Sequence, residues 1–302
     1  MKINAIKQTS FQTKMNFSGK STENKSQNNG FISDILDKFF ANTAINQPSA
    51  VIKRNIISKR NNLLKPIKAQ SEYDKIVKNI FDYVLYKTKF DGPVELIECL
   101  AQDGYCDIDP NLKGLVPYCG TADISNSINC WLTAREDPDP PMLTDLMMAD
   151  IVRAFEYSLD KLDEKYGKYE GTVYRSGYFN PNEDSQYYST SYFLSCALDH
   201  KFWQKPSKEC PYSIIRLKNG HNIYKFQEET KSKESLAFAL AEKEILIDRK
   251  SKFRLVPPEE YTSDDESDIM NIVKFTANCD DIYLTEDKVN RMRKYISVWE
   301  EV

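Results

Sequence analysis

The stretch LTDLMMADIVRAFEYSLDKLDEKYGKYEGTVYRSG, residues 143–177, changes its hydrophobic period from one end to the other. Its first part places apolar residues three or four positions apart, which is the spacing of one helical face. These positions are Leu143, Leu146, Met147, Ile151, Ala154, Phe155, Leu159 and Leu162. The helix is predicted to end at Tyr166 and Gly167, and the residues from Gly171 onward favour a strand. We therefore expect helices before this stretch and strands after it.

A similar helical pattern occurs earlier, where the folded region is predicted to begin near Ser71. Ser71 followed by Asp74 is a capping-box arrangement, which is typical of a helix N-terminus. The apolar face that follows consists of Ile76, Val77, Ile80, Phe81, Val84 and Leu85. Both helical faces are expected to lie in the core.

Short β-like runs follow Gly171. They are GTVYR (171–175), SIIRL (213–217), NIYKF (222–226), EILI (244–247), KFRLV (252–256), IVKF (272–275) and DIYL (281–284). A last helix is predicted from Thr285, with Val289, Met292, Ile296 and Trp299 buried. Helices followed by strands predict an α+β domain, in which helices pack on a mainly antiparallel sheet or pair of sheets. The chain contains no GxGxxG or GxxxxGK sequence, so neither common phosphate-binding loop is expected.

The net charge of -4 is unevenly distributed along the chain. Residues 1–70 carry 12 Lys and Arg against 3 Asp and Glu, a balance of +9, which leaves -13 for the other 232 residues. An acidic body disfavours nucleic acid as a partner, because phosphate binding needs a basic face. No apolar run reaches the roughly 18 residues of a membrane span. The N-terminus also lacks the apolar stretch of a signal peptide, so we expect a soluble protein.

The cysteines and histidines do not form a metal-binding pattern. The seven cysteines include no CxxC pair, and His200 and His221 are the two histidines. We therefore predict no metal site. The cysteines are interpreted as reduced core thiols of a protein that works in a reducing compartment.

Residues 1–70 are predicted to be a largely disordered basic region. The first thirty are rich in Lys, Asn, Gln, Ser and Thr and contain few large apolar groups. Residues 31–70 contain an amphipathic stretch from Phe31 to Phe40 and a basic segment, VIKRNIISKRNNLLKPIK. They are interpreted either as a linker with a transient helix or as a docking segment for a secretion chaperone, a membrane surface or another partner.

Three short strings in the β-rich half carry side chains suited to catalysis. They are VYRSG with Arg175, YYSTS with Ser189, Thr190 and Ser191, and AEKEILI with Glu242 and Glu244. Each alone has an ordinary interpretation, as a solvated arginine, a turn or edge strand, and an exposed charge run.

In their order along the chain, the three strings resemble the Arg / aromatic-x-Ser-Thr-Ser / Glu-x-Glu signature of the arginine-specific mono-ADP-ribosyltransferases. SINCWL (127–132) is similar to the family's Ile-Asn-x-x-Leu helix, and EKEILIDRKSKFRL resembles the glutamate strand of the exoenzyme S-like type III effectors. The resemblance covers roughly residues 71–285. It implies a catalytic domain over 71–302, with N-terminal helices packed on a mainly antiparallel split β-sheet, and NAD as co-substrate.

The resemblance also implies a role for each residue. Glu244 would stabilise the positive charge that develops on the ribose when the nicotinamide bond breaks, and would bind the ribose 2'-hydroxyl. Ser189 would orient Glu244, while Thr190 and Ser191 would support the strand. Arg175 would pair with the pyrophosphate, and the main chain of Ser176 would contact nicotinamide.

Glu242 is the candidate for handling the acceptor. The pKa of an arginine guanidinium is above about 12, so the group is protonated at neutral pH and is a poor nucleophile. A carboxylate that orients the guanidinium and accepts its proton would therefore help it to react. If Glu242 and Glu244 lie two apart on one strand, they point to the same side. The asparagine-specific members of the family carry Gln at this position, so Glu242 favours arginine and leaves acceptors such as threonine open.

The sequence departs from the common pattern in two places. Tyr187 stands where Phe is usual, and the segment from Phe226 to Glu242 is longer than a tight recognition turn and contains Phe238. Phe202 and Trp203 are candidates for closing over nicotinamide, although a core or surface role is the more common explanation for such aromatic residues.

Two other functions remain open at this point. An NAD glycohydrolase would share the NAD contacts and pass the sugar to water, and a silent binding module would keep the fold alone. The polar, basic N-terminal region resembles that of a type III effector acting in the host cytoplasm on a small GTPase, actin or another protein. The end of the chain, RMRKYISVWEEV, has no Leu-Asp-rich motif, so dependence on a 14-3-3 activator is not predicted.

Overall fold

The computed structural model of the protein describes residues 50–88, 108–120, 122–135, 143–177, 179, 186–202, 206–208, 210–230, 243–279 and 283–302. Several predictions concern positions outside these residues or side chains that are not described. They are residues 1–49, which include the stretch from Phe31 to Phe40, and Val84, Leu85, Cys99, Cys106, Phe202, Trp203, Phe238, Glu242, Cys279 and the first half of DIYL.

Helices occupy the first part of the described chain. They are α1 (Ala50–Leu63), α2 (Gln70–Thr88), α3 (Val116–Gly120), α4 (Ala122–Thr133) and α5 (Asp145–Tyr166), with a 3-10 turn at Pro110–Leu115. α5 packs against α2 and against this turn. Gly114 allows the close approach, because an added Cβ there would lie 2.3 Å from the Ala154 carbonyl oxygen.

The boundaries of α5 follow its sequence. The Thr144 side chain caps the helix by accepting a hydrogen bond from the Met147 N–H at 3.3 Å. The helix ends at Gly167, whose φ of 76° is in the left-handed region that favours glycine. The predicted helix is confirmed, but Leu146 is 65% exposed rather than buried. It lies in the first turn, and the buried face begins at Met148.

α2 begins one residue before the predicted start. Ser71 lies inside the first turn, and the Asp74 carboxylate accepts a hydrogen bond from the Gln70 amide at 2.8 Å. The face from Ile76 to Ile80 is buried as predicted. Tyr73 is also buried, and its hydroxyl hydrogen-bonds the Ser158 hydroxyl at 2.8 Å. This contact links α2 to the middle of α5.

α1 lies before the predicted domain boundary and contacts the helices beyond it. Arg60 donates from Nη1 to the Trp131 carbonyl at 2.7 Å and from Nε to Asp145 at 3.2 Å. Leu64, directly after α1, is a buried member of the helical core. Residues Pro48–Val302 form one compact unit. The boundary near residue 71 stays a prediction, and α1 lies in the same compact unit as the helices that follow it.

The described residues contain seven strands in one sheet. They are β1 (Tyr169–Ser176), β2 (Tyr187–Ser189), β3 (Leu194–Ala197), β4 (Tyr212–Gly220), β5 (Glu244–Ile247), β6 (Lys252–Val256) and β7 (Ile296–Glu301). The strand order is β2-β6-β7-β4-β1-β3-β5, with β4 and β7 parallel and the other neighbours antiparallel. The predicted α+β class is confirmed, as are the strands predicted at 171–175, 213–217, 244–247 and 252–256.

Two short connections bring the ends of this strand order together. Residues 190–193 lead from β2 to β3, and residues 248–251 lead from β5 to β6. A connection of this length spans at most about 17 Å, so the sheet must curl until its two ends approach. The Thr190 N–H donates to the Ser251 carbonyl at 2.9 Å, and the Lys250 N–H donates to the Thr190 carbonyl at 2.7 Å. The two connections therefore run side by side.

Among the described residues of the β-rich half, three helices interrupt the strands and correct the sequence prediction. They are α6 (Ile223–Thr230), α7 (Ser263–Cys279) and α8 (Glu286–Arg293). The strands predicted at NIYKF and IVKF are wrong, since these runs lie in α6 and α7. The predicted last helix ends at Arg293, and Ile296 and Trp299 belong to β7. Of the DIYL run, Tyr283 and Leu284 are described, and neither is in a strand.

The physical reason for the errors is that four or five apolar residues fit either period. In α7 the buried positions are Asp265, Ile269, Ile272, Val273, Thr276 and Ala277, which is helical spacing over a longer window. In β7 the buried Ile296 and Val298 alternate with Ser297, which is strand spacing.

The sheet has an apolar layer on each face. Ile214 of β4 packs with α7 on one face, and the next residue, Ile215, packs with Val173 and Trp299 on the other. A third cluster fills the helical half and includes Phe155, which contacts the Phe193 ring edge-to-face at 4.9 Å between centroids. Phe193 precedes β3, so this contact joins the helices to the sheet.

Within the described ranges, no helix has both the length and the hydrophobicity needed to cross a membrane. Among the cysteines that the structure describes, Cys119, Cys130, Cys196 and Cys210 take part in no disulfide.

Candidate functional site

Arg175 lies near the end of β1. Its Nη1 donates to the Ser195 carbonyl of β3 at 2.6 Å. Its Nε is buried and has no hydrogen-bond partner among the described residues. A buried N–H of a cation without an acceptor is costly, and such groups occur where a ligand completes the bonding. Arg175 is thus hydrogen-bonded through Nη1, while its Nε–H lacks an acceptor among the described residues.

Glu244 is the first residue of β5 and pairs with Ala197 of β3. Its Oε2 accepts a hydrogen bond from Nε2 of Gln227 at 3.1 Å, and the Ser195 side chain hydrogen-bonds the same carboxylate. Burial raises the pKa of Glu244, and these two hydrogen bonds oppose the rise. The carboxylate is therefore poorly hydrated and held in a fixed direction.

Ser195 connects the predicted arginine to the predicted glutamate. Its main-chain carbonyl accepts from Arg175, and its side chain bonds Glu244. The β1–β3 and β3–β5 pairings place these residues on three neighbouring strands. Arg175 and Glu244 are 69 positions apart in the sequence. In the structure both hydrogen-bond Ser195, which lies on the strand between theirs.

The Ser-Thr-Ser string forms the end of β2 and the connection to β3. Ser189 is exposed at the strand end, and Ser191 is exposed in the connection. Thr190 is buried, and its hydroxyl donates to the Asp248 carbonyl at 2.8 Å. Thr190 therefore fastens this connection to the turn that follows the Glu244 strand. Ser176, the last residue of β1, is partly exposed.

The turn between β5 and β6 contains a strained residue. Lys250 has a φ of 82°, a left-handed conformation that is uncommon for a residue with a Cβ. In this conformation its N–H reaches the Thr190 carbonyl. The preceding Arg249 is buried and pairs with Glu156 of α5. The turn is thus fixed both to the Ser-Thr-Ser connection and to the central helix.

The expected arrangement of the two glutamates on one strand is described only at Glu244. β5 begins at Glu244, and Lys243 before it has a φ of 47°, which is outside the strand region. That Glu242 and Glu244 point to the same side stays a prediction. Glu242 itself lies outside the described residues.

Several residues at the site were not singled out by sequence reasoning. Asn129 of α4 donates from Nδ2 to the Phe193 carbonyl and accepts from the Phe193 N–H through Oδ1, both at 3.1 Å. The Asn129 side chain also hydrogen-bonds the Tyr118 hydroxyl. The sequence feature that pointed to Asn129 is the resemblance of SINCWL to the Ile-Asn-x-x-Leu helix. That resemblance did not predict which residues Asn129 would hydrogen-bond. Asn129 fixes the backbone two residues before Ser195.

Three uncharged groups, Tyr118, Cys119 and Cys196, feel the charge of Glu244. Burial raises the pKa of both Tyr118 and Cys119. Burial also raises the pKa of the Cys196 thiol to about 12. A neutral, poorly hydrated lining strengthens the electrostatic effect of the two charged side chains.

No group of three or more His, Cys, Asp or Glu side chains in the described part of the chain could hold a metal ion.

No protein-family model matches the sequence, and no curated protein matches it. Among solved structures, the chain is similar to the type III effector XopAI from Xanthomonas axonopodis pv. citri, with 12% identity and a TM-score of 0.42 over 83% of this chain and 99% of that one. It is similar to the ADP-ribosyltransferase HopU1 of Pseudomonas syringae pv. Tomato DC3000, with 14% identity and a TM-score of 0.44 over 79% and 100% of the two chains. The Vis toxin, an ADP-ribosyltransferase from Vibrio splendidus, has 15% identity and a TM-score of 0.36 over 80% and 89%. These are likenesses of overall chain path, and the functional assignment rests on the side chains described above.

Proposed function

We propose that this protein is an NAD-dependent mono-ADP-ribosyltransferase that transfers ADP-ribose to an arginine of a host protein. The observation that carries the proposal is the meeting of Arg175 and Glu244 at Ser195, with the Arg175 Nε buried and without a partner in the described part of the chain. A cation with an unsatisfied donor and a dehydrated carboxylate suit the two charged features of NAD cleavage.

Arg175 is suited to the pyrophosphate. A planar guanidinium can offer two parallel donors to phosphate oxygens, and one edge of this guanidinium is already held by the Ser195 carbonyl. The remaining donors include the buried Nε–H. An anion bound there would satisfy a donor that the folded chain leaves unbonded.

Glu244 is suited to the sugar. Breaking the bond from ribose to nicotinamide leaves positive charge on the ribose, and the bonding electrons leave with nicotinamide. A carboxylate fixed beside that sugar stabilises the transition state more than the ground state. Its hydrogen bonds from Gln227 and Ser195 are in place before the reaction, so little reorganisation is needed.

The Ser-Thr-Ser string has a supporting part in the proposal. Ser189 would contact the ribose and orient Glu244 in the complex with NAD. Thr190 would hold the connection in place through its bonds to the turn at 248–251, and Ser191 would support the same strand. The main chain of Ser176 would contact the nicotinamide amide from the end of β1.

Glu242 would serve the acceptor. It would orient the incoming guanidinium and receive its proton as the new bond from nitrogen to carbon forms. Glutamate rather than glutamine at this position supports arginine as the acceptor.

The proposal also includes where the protein acts. We propose a secreted effector, or toxin, that leaves the bacterium by a type III-like route, with residues 1–70 as the region for a secretion chaperone or other docking partner. Its substrate would be a protein of the host cytoplasm, such as a small GTPase or actin. The support is the motif resemblance together with the +9 balance of residues 1–70.

The test uses biotin-labelled NAD, host cell lysate and mass spectrometry of the modified residue. The wild-type protein is expected to label a host protein on arginine. Glu242→Gln should lose protein labelling and retain much of its slow NAD hydrolysis, because water needs less orientation than a guanidinium. Equal loss of both activities in Glu242→Gln would contradict the separate acceptor role. Hydrolysis by the wild type without any labelled protein would instead identify an NAD glycohydrolase.

A further inference from the structure

Gln227 is an unusual residue to find buried at this site. It lies on α6, is 1% exposed, and directs its amide Nε2 at the Glu244 carboxylate, 3.1 Å away. It comes 17 positions before Glu244 and belongs to none of the three catalytic strings. A buried amide is costly unless it is hydrogen-bonded, so this contact restrains both partners.

Ser195 reaches the same carboxylate from a different element. It lies on β3, the strand that pairs with β1 on one side and with β5 on the other. The helix α6 and the strand β3 therefore supply one donor each to Glu244. Donors from two elements fix the carboxylate in direction as well as in distance.

The two donors act against the effect of burial. A poorly hydrated carboxylate tends to take up a proton, whereas N–H and O–H groups that donate to it favour the charged form. A protonated Glu244 could not stabilise a cationic sugar. We infer that Gln227 and Ser195 are positioning residues that keep Glu244 ionised and aimed at the reacting sugar. The catalytic consequence rests on the proposed function, whereas the effect on ionisation does not.

The surroundings of Glu244 leave these two residues a large share of this task. The titratable groups that feel its charge are Tyr118 and Cys119 from α3 and Cys196 from β3. The tyrosine and the two thiols are neutral at pH 7, because burial raises the pKa of each. The charged neighbours are Lys243, which is exposed and precedes Glu244 in the chain, and Arg175, which acts on Tyr118 and Cys196 and directs its Nη1 to the Ser195 carbonyl.

The direct test is a carbon-13 NMR titration of the full-length protein labelled at glutamate side chains. The Glu244 signal is assigned by its loss in Glu244→Gln. In Gln227→Met, which keeps a similar volume and removes the donor, the titration midpoint of Glu244 should rise by about one pH unit, a tenfold change in the protonation equilibrium. Ser195→Ala should move it in the same direction.

Two further variants distinguish a specific effect on the Glu244 titration midpoint from a general effect of substitution on folding. Gln227→Glu keeps the shape but places a second carboxylate beside Glu244, so the midpoint should rise further than in Gln227→Met. Thr276→Val is the matched control, because it removes a buried hydroxyl that donates to the Ile272 carbonyl in α7, away from the site. Its Glu244 midpoint should equal that of the wild type.

The same variants are then assayed for nicotinamide release from NAD across a pH series. The acid limb of the rate profile should move upward with the NMR midpoint in Gln227→Met, and the rate should recover at higher pH. An unchanged NMR midpoint in folded Gln227→Met and Ser195→Ala would overturn the inference. A shifted midpoint in a protein that does not cleave NAD would leave this inference standing and contradict the proposed function instead.

Discussion

Replacing Arg175 by alanine should weaken NAD binding and leave the stability of the folded protein nearly unchanged. The variant loses the donors proposed to bind the NAD phosphates. Charge-assisted hydrogen bonds contribute about 1.5 to 3 kcal/mol, which corresponds to a roughly 10- to 150-fold weaker NAD affinity.

The folded protein should tolerate the same change. Arg175→Ala removes the charge-assisted hydrogen bond to the Ser195 carbonyl, which contributes about 1.5 to 3 kcal/mol, but it also removes a buried Nε with no partner in the described chain, which costs about 1 to 3 kcal/mol. These two effects oppose each other, so the thermal midpoint should change little. Arg175→Lys should bind NAD with intermediate affinity, because it keeps the charge and loses the planar pair of donors.

Calorimetry of NAD binding and thermal unfolding, run on the same preparations, provide the two readouts. Arg216→Ala is the matched control, since Arg216 also lies on the sheet but pairs with Asp265 and Glu300. It should lose stability and keep its NAD affinity. Unchanged NAD affinity in a folded Arg175→Ala protein would refute the assigned role.

Three further predictions follow from the site and its supports. Burial raises the pKa of Glu244, so this carboxylate should become protonated at a higher pH than an ordinary glutamate. The rate of NAD cleavage, measured across a pH series, should therefore fall at a higher pH as well. An acid limb of the rate profile at or below about pH 4.3 would contradict this. Asn129→Ala leaves the Phe193 N–H and carbonyl without partners, so urea unfolding should show a loss of about 2 kcal/mol or more, and an unchanged midpoint would argue against this anchor. A protein comprising residues 71–302 should unfold cooperatively but at a lower temperature than residues 48–302, because it lacks the Arg60 contacts; non-cooperative unfolding would show that the boundary at 71 is wrong.

The parts of the fold that could be predicted are those whose apolar pattern is long or is bounded by clear end signals. α5 has 22 residues of helical spacing with Thr144 at one end and Gly167 at the other, and its prediction is confirmed. The strands EILI and KFRLV are confirmed within their predicted bounds. NIYKF failed because five residues rich in β-formers also fit a short helix, where Ile223, Phe226 and Gln227 share a buried face.

The candidate site could be predicted only as far as the motifs extend. Arg175 and Glu244 carry motif signals, and the structure places both beside Ser195. Gln227 and Ser195 carry none, because a buried donor to a carboxylate is defined by the packing of α6 and β3 on β5 rather than by sequence spacing. The assignment of Ser189 to orient Glu244 stays a prediction, since it concerns the complex with NAD.

The central claim is that Glu244 stabilises the cationic sugar formed when NAD is cleaved. The most direct test is the rate of nicotinamide release from NAD by the wild-type protein and by Glu244→Gln, with thermal unfolding as the check on folding. The wild type should release nicotinamide, and Glu244→Gln should be slower by about 100-fold or more, as when one preorganised electrostatic contact is removed. Undiminished release by a folded Glu244→Gln protein would contradict the account.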